Sequence, residues 1–170
     1  MSNEAKQPQQ GAAKAIPARI AIADFLAPGR VAIDVRATDK ARLLQDLARR
    51  AAAILDARET TIAEALAKRE NIGSTGTGDG VALPHARLAD VKKPFGMLVR
   101  LRQAIEFESV DGKPVDLVFL LLIPAAVHGE SLNALACAAR ALHKPDVLRR
   151  LRAATSDAEF YAAITSAGMG

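Results

Sequence analysis

A nearly continuous apolar run, VDLVFLLLI at residues 115–123, constrains the fold of this chain more than any other feature. It is β-branched at Val115, Val118 and Ile123, and it is shorter than the roughly 20 apolar residues that a membrane-spanning helix needs. A strand that lacks polar alternation is buried on both faces. The run therefore predicts a central strand between two helical layers.

The other elements alternate between strand and helix patterns. Val31, Ile33 and Val35 alternate with more polar residues and predict a half-buried strand at 30–37. Further patterns predict a strand at 96–103 and helices at 40–55, 61–70, 131–143, 145–154 and 156–165. Strands alternating with helices indicate an α/β domain, with a mixed β-sheet sandwiched between α-helices.

Two of the helices carry specific expectations about their ends and faces. Thr61 followed by Glu64 is typical of a capping box at the start of the helix at 61–70. The helix at 131–143 is expected to turn Leu132 and Leu135 toward the core. Before the first element, residues 1–16 are rich in Gln, Ala and Pro, and they predict a disordered tail.

Composition argues against several classes of function. The net charge is only +4, the arginines are interleaved with acids, and aromatic residues make up 4% without Trp, which disfavours nucleic-acid binding. The N-terminus has no apolar core of a signal peptide, and we expect no membrane insertion. The single cysteine, Cys137, forms no internal disulfide and fits a reducing compartment. We therefore expect a cytoplasmic protein.

The segment RENIGSTGTGDGVALPHAR at 69–87 places four glycines shortly before Pro84 and His85. Ordered glycines lose more conformational entropy than other residues, so the segment needs close backbone approach or positive φ. A nucleotide-binding P-loop is disfavoured because no lysine follows the glycines. A dinucleotide-binding fingerprint is disfavoured because the glycines lead from a helix into a strand, which is the reverse order.

A third interpretation makes His85 a nucleophile. An imidazole has a pKa near 6.5, so one ring nitrogen is free at neutral pH. Backbone N–H groups of the glycine segment and the hydroxyls of Ser74 and Thr75 can then hold a phosphoryl group, together with Arg69 and Arg87. In the alternative interpretation the segment has only a structural role. His85 then has no chemical function, the glycines form turns and Arg69 interacts with a helix dipole. The residue types alone leave both open.

The same segment resembles the active-site signature of phosphotransferase-system IIA proteins of the fructose/mannitol class, approximately R-E-x-x-x-S-T-G-x-G-x-G-x-A-x-P-H. The match includes Arg69 sixteen residues before His85, the Ser-Thr pair, the glycines and the Pro-His step. The resemblance extends from about residue 20 to 165. The opening IADFLAPGRVAIDV and the helix at 40–55 are similar to the nitrogen-regulatory branch of that class.

The resemblance implies that residues 17–170 form one IIA domain of this type. It implies that His85 accepts a phosphoryl group from a histidine-phosphorylated HPr-like carrier protein, with Arg69 beside the site. We take the tele nitrogen, Nε2, as the acceptor, although the residues do not decide between the two ring nitrogens. The expected phosphoryl-binding residues are Ser74, Thr75, Gly76, Gly78 and Arg87. No metal, nucleotide or other cofactor is expected, and the chain would be a phosphocarrier rather than a free-standing enzyme.

One position departs from the family pattern. Family members usually carry a second active-site histidine at the start of the helix after the central strand, where this chain has Ser131 in ESLNALA. His128 lies three residues earlier and either enters the same space or is exposed. Ser131 can also be a simple N-cap. We expect the loss of this second histidine to affect the rate of phosphoryl transfer more than the acceptance of phosphate by His85.

The leading hypothesis is a phosphocarrier whose phosphorylation state regulates other proteins. The family suggests sensor kinases or potassium-transporter components as targets, and the lack of a fused membrane or IIB segment favours regulation over sugar uptake. One alternative is a sugar-specific IIA protein that passes phosphate to a separate IIB partner. Another is a binding module that keeps the fold and is not phosphorylated.

Overall fold

The computed structural model describes residues 20–126 and 129–168, so the predicted disordered tail at 1–16 lies outside the described residues. The strands are β1 (Val31–Val35), β2 (Gly76–Gly78), β3 (Val81–Ala82), β4 (His85–Leu88), β5 (Phe95–Ile105) and β6 (Val115–Pro124). The helices are α1 (Lys40–Leu55), α2 (Glu59–Ile72), α3 (Gly129–Ala141), α4 (Pro145–Ala153) and α5 (Asp157–Thr165). Short 3₁₀ turns occupy Ile22–Asp24, Pro28–Arg30 and Ser166–Gly168.

The six strands form one mixed sheet in the order β1-β5-β6-β3-β2, and β4 also pairs with β6. β5 runs antiparallel to β6 along one edge. β3 and β4 both run parallel to β6, with Val81 beside Leu117 and His85 beside Leu121. A strand has only two edges, so β3 and β4 follow one another along the second edge of β6. This arrangement places His85 toward the carboxyl end of the central strand.

β6 is buried on both faces, which confirms the interpretation of the apolar run. Leu117, Phe119 and Leu121 belong to a core cluster that also contains the buried residues of α3, α4 and α5. Val118 and Leu120 belong to the opposite cluster, which contains the buried residues of α1 and α2. The alternation of side chains along a strand divides one apolar run between two cores. The predicted mixed sheet between helical layers is confirmed.

Two helices begin earlier than the sequence predicts. α2 starts at Glu59 with Arg58 in the N-cap position, so the expected capping box at Thr61 does not form. α3 starts at Gly129, and Ser131 therefore lies inside its first turn and does not cap it.

The buried face of α3 also differs from the expected one. It consists of small residues, Ser131, Ala134, Ala138 and Ala141. Of the two leucines expected to face the core, Leu132 is 51% exposed, whereas Leu135 is partly buried and packs against the core. Small side chains let a helix pack closely on a sheet, and this close packing has overridden the apolar pattern.

The strands of the glycine segment were not predicted from the sequence. β2, β3 and β4 contain only two to four residues, which is too short for a period of two to be recognised. Each of them is defined by its pairing within the sheet.

Gly80 explains part of the glycine content of this segment. Its φ is +78°, and a Cβ there would lie 2.5 Å from Arg152 Nη2 and 2.9 Å from Asp116 Oδ1. Arg152 donates to both carboxylate oxygens of Asp116 and to the carbonyl of Asp79. The bare backbone of Gly80 thus lets this ion pair tie the segment to α4.

We predict that Gly80→Ala lowers the free energy of unfolding by about 2 kcal/mol or more, because positive φ and the clash with Arg152 add together. Gly112→Ala has positive φ and open space, so it should lower the free energy by only about 1 kcal/mol. Gly29→Ala has neither penalty and should change it by less than about 0.5 kcal/mol. Urea unfolding measures all three, and equal effects for Gly80 and Gly112 would contradict the role of the ion pair.

Candidate functional site

His85 is the first residue of β4, and its side chain is half-buried. Pro84 precedes it, and the Pro84 carbonyl accepts the N–H of Leu121 at 3.0 Å, so both sides of this step are fixed to β6. Strand alternation puts His85 and Arg87 on one face of β4. The side chains of Ala86 and Leu88 are buried on the other face.

The hydrogen bonds of the imidazole define its tautomer. Nδ1 lies 2.9 Å from the carbonyl oxygen of Leu83, and a carbonyl only accepts, so Nδ1 carries the proton. Arg69 donates its Nε–H to Nε2 of His85 at 3.3 Å. Nε2 therefore presents its lone pair at the sheet edge, beside a guanidinium group.

Burial is the main cause that lowers the pKa of His85 below its ordinary value of 6.5. The hydrogen bond to the Leu83 carbonyl opposes this shift, while the positive charge of Arg69 lowers the pKa further. Glu70 raises it and Arg87 lowers it, as smaller contributions. The ring is thus mainly neutral at pH 7, and a neutral ring keeps the nucleophilic lone pair.

Arg69 is held in the last turn of α2 by a hydrogen bond from its Nη1 to the Gly73 carbonyl at 2.9 Å. The adjacent Glu70 is buried and accepts the Thr75 N–H at 3.0 Å and the Thr75 hydroxyl at 2.6 Å. Its carboxylate also contacts Lys40 Nζ at 2.6 Å. Glu70 therefore joins α1, α2 and the start of the glycine segment at one point, directly beside Arg69.

The Ser74 hydroxyl, both donors of Thr75 and the Gly76 N–H are engaged within the protein. Ser74 donates its hydroxyl to the Phe107 carbonyl at 2.7 Å and accepts the Gly76 N–H at 3.1 Å. Both donors of Thr75 point to Glu70. Gly76 lies so close to Ser109 that a Cβ would collide with it, and Gly78 has a φ of +104°. These contacts position the segment, and phosphoryl binding by these residues stays a prediction.

The remaining predicted residues are placed as follows. Arg87 is exposed on the His85 face of β4, close enough for its charge to lower the pKa of His85. Ser131 is buried in the first turn of α3. His128 lies outside the described residues, so the structure does not relate it to His85.

Two further properties concern metal and membrane binding. Within residues 20–126 and 129–168, no group of three or more His, Cys, Asp or Glu side chains is arranged to hold a metal ion. Among the helices of this described part, none combines the length and apolar character needed to cross a bilayer.

Sequence reasoning did not assign a role to Glu70, Lys40 or the Leu83 carbonyl. Glu70 had a signal, since it is the second letter of the Arg-Glu pair that opens the signature segment. Lys40 had none, because only the packing of α1 against α2 brings its ammonium group to Glu70. The Leu83 carbonyl is a backbone group and is invisible to residue-type arguments.

The fold and this site match one protein family. The family model described as phosphoenolpyruvate-dependent sugar phosphotransferase system, EIIA 2, matches residues 24–167. The chain therefore belongs to the EIIA 2 family of the phosphoenolpyruvate-dependent sugar phosphotransferase system.

Relatives place the chain on the nitrogen-regulatory branch of this family. It is 41% identical over 143 residues to a nitrogen regulatory protein of Bradyrhizobium diazoefficiens, covering 84% of this chain and 94% of that protein. It is 40% identical over 132 residues to that of Escherichia coli, covering 77% and 81%.

One solved structure agrees with this placement, and a second shares the fold. The nitrogen regulatory protein IIA-Ntr from Neisseria meningitidis has a TM-score of 0.80 at 33% identity, covering 85% of this chain and 99% of that one. IIA mannitol from Escherichia coli has a TM-score of 0.67 at 20% identity, covering 81% and 97%, and shares the fold.

We predict that Glu70→Ala lowers the free energy of unfolding by about 3 kcal/mol, because it leaves Lys40 and Thr75 without their buried partner. Glu64→Ala on the same helix is the matched control, since Glu64 is exposed. Urea unfolding of both variants gives the comparison. Equal effects of the two substitutions would show that the buried carboxylate does not stabilise the site.

We predict that ¹⁵N NMR titration of wild-type protein gives His85 a pKa below 6.5 and a proton on Nδ1. Arg69→Gln should raise this pKa, because it removes a positive charge and the hydrogen bond to Nε2. Even in this variant the pKa of His85 should stay below 6.5, since burial is the larger cause of the lowered pKa. A wild-type pKa at or above 6.5 would contradict the lowered pKa, and a proton on Nε2 would contradict the assigned tautomer.

The same shift links His85 to stability. Between about pH 6.5 and the lower folded pKa, the unfolded chain binds a proton that the folded chain does not. The free energy of unfolding should therefore fall as the pH drops through this window, and less so in His85→Asn. Urea unfolding of both proteins across this pH range measures the difference, and parallel pH profiles would contradict it.

Proposed function

We propose that this protein is a histidine phosphocarrier that accepts a phosphoryl group on Nε2 of His85 from a histidine-phosphorylated HPr-like carrier protein. One observation carries the proposal. The Leu83 carbonyl holds the proton on Nδ1, which leaves Nε2 unprotonated beside the guanidinium of Arg69.

The chemical step follows from this arrangement. Arg69 first releases its hydrogen bond to Nε2, which frees the lone pair. The lone pair attacks phosphorus and a P–N bond to His85 forms, while the P–N bond to the donor imidazole breaks and returns its electron pair to the donor ring. The Nδ1 proton stays on the hydrogen bond to the Leu83 carbonyl, so the His85 ring becomes positively charged as the P–N bond forms. Arg69 lies where it can donate to the phosphoryl oxygens as their charge redistributes. Because the donor is itself a phosphohistidine, the step uses neither nucleotide nor metal.

Regulation follows from the charge that phosphorylation adds. A phosphorylated His85 carries a phosphoryl group with about two negative charges at the sheet edge, next to Arg69 and Arg87. A change of this size favours one set of partners and repels another. The similarity to nitrogen regulatory proteins supports regulation as the role. We propose that the protein acts in the cytoplasm and that its target is a sensor kinase or a potassium-transporter component.

A sugar-specific role is the second candidate. The chain is 38% identical over 93 residues to a fructose-specific EIIA component of Haloferax volcanii, covering 55% of this chain and 60% of that protein. A structure with 16% identity, which shares the fold, is a complex of enzyme IIA mannitol with phosphorylated enzyme IIB mannitol. A binding module without phosphorylation is the third candidate, because Ser131 stands where the family usually has a second histidine.

We expect wild-type protein, incubated with phosphoenolpyruvate, enzyme I and the HPr-like carrier, to gain one phosphate. His85→Ala should gain none, because it lacks the nucleophile. His143→Ala is the matched control and should gain one, since His143 is exposed beyond the end of α3. Intact-mass spectrometry under alkaline conditions preserves phosphohistidine and provides the readout.

The result also separates the three candidates. No phosphate on the wild type in the presence of active donor would overturn the phosphocarrier function and favour the binding module. Phosphorylation followed by rapid transfer to a fructose- or mannitol-type IIB protein would favour the sugar-specific role. Phosphorylation without such transfer supports a regulator.

A further inference from the structure

A second charged site lies at the opposite end of β5 from His85. A solvent-open cavity of about 660 Å³ is lined by the loop that follows β1, the first turns of α1 and the later part of β5. Its β5 residue Arg102 is six residues beyond Gly96, which pairs with Leu121 beside His85. At about 3.3 Å per residue, Arg102 lies roughly 20 Å along β5 from the level of His85.

Three arginines line this cavity, namely Arg36, Arg42 and Arg102. Among the described residues, the structure gives neither Arg36 nor Arg102 an acidic partner within 4.0 Å. The acidic residue of the lining, Asp46, already accepts hydrogen bonds from Arg49 and Arg50, which lie on the same helix. The cavity therefore carries an excess of positive charge.

Asp39 does not remove this excess. Its carboxylate caps α1 by accepting the backbone N–H of Arg42 at 2.9 Å, and it also accepts the Thr38 hydroxyl at 3.2 Å. The side-chain contact from Arg42 Nε to Asp39 is long, at 3.7 Å, and the side chain of Arg42 is 75% exposed. A guanidinium this exposed has most of its donors available to a ligand.

The lining also indicates which part of a ligand is recognised. Arginine presents a planar fork of donors that matches phosphate oxygens, and three such groups suit more than one phosphate. Thr38 and Gln103 add polar groups to the lining, which contains no aromatic side chain on which a base could stack. A cavity of this volume is in the range that holds small molecules, whereas a protein segment usually needs a longer groove.

We propose that this cavity binds the pyrophosphate or triphosphate part of a small molecule through Arg36, Arg42 and Arg102. Recognition is directed at the phosphates, and a nucleoside attached to them contributes little. The site is separate from His85, so its occupancy does not require phosphorylation of the protein.

Isothermal titration calorimetry with sodium tripolyphosphate and with ATP, at low and at physiological ionic strength, tests the proposal. We expect the two probes to bind with similar affinity, and one inorganic phosphate to bind more weakly. Arg36→Gln combined with Arg102→Gln should weaken tripolyphosphate binding at least about tenfold. Arg140→Gln, an exposed arginine on α3 in the other helical layer, is the matched control and should bind like the wild type.

Three outcomes would overturn the proposal: no binding of tripolyphosphate, an equal loss of affinity in the control variant, or tighter binding of a polyglutamate peptide than of tripolyphosphate. Amide shifts in NMR spectra of the wild type should map binding to the residues around Arg36 and Arg102. The double variant should still accept phosphate at His85. The binding result is therefore independent of the proposed phosphocarrier function, and each can fail without the other.

Discussion

Burial of β6 on both faces is the constraint from which the rest of the architecture follows. Its two sets of alternating side chains require two covering layers, which α1 and α2 supply on one face and α3, α4 and α5 on the other. With β5 on one edge, the second edge is left for two short strands. His85 begins the second of these, so the site is fixed to the most buried element of the fold.

The site itself depends on a buried carboxylate one residue from its arginine. Glu70 gathers Lys40 from α1 and both donors of Thr75, which sets the end of α2 against the glycine segment. Arg69 can then reach the sheet edge and donate to Nε2 of His85. A buried carboxylate without these partners would be strongly unfavourable, so the contacts stabilise Glu70 at the end of α2. Because Arg69 is the adjacent residue, the same contacts also position its guanidinium.

Much of the fold was predictable from the sequence where local pattern and burial agree. The helix at 40–55 has its predicted bounds, and the apolar run at 115–123 is the central strand. Prediction failed where packing overrides pattern. α3 buries alanines and exposes Leu132, because close approach to the sheet is more favourable there than burial of a larger side chain. The short strands of the glycine segment form because β6 offers an unpaired edge, which is a non-local property.

The sequence by itself determined the family and the α/β class, and it predicted Arg69 and His85 as the centre of the candidate site, since the signature between them is contiguous and depends only on residue order. Only the tertiary structure decided which ring nitrogen is free. The Leu83 carbonyl and Arg69 reach opposite nitrogens of His85 through backbone direction and helix placement, which residue types do not encode. The tertiary structure also decided that Arg36, Arg42 and Arg102 share one cavity, because residues distant along the chain meet only after the strands pair.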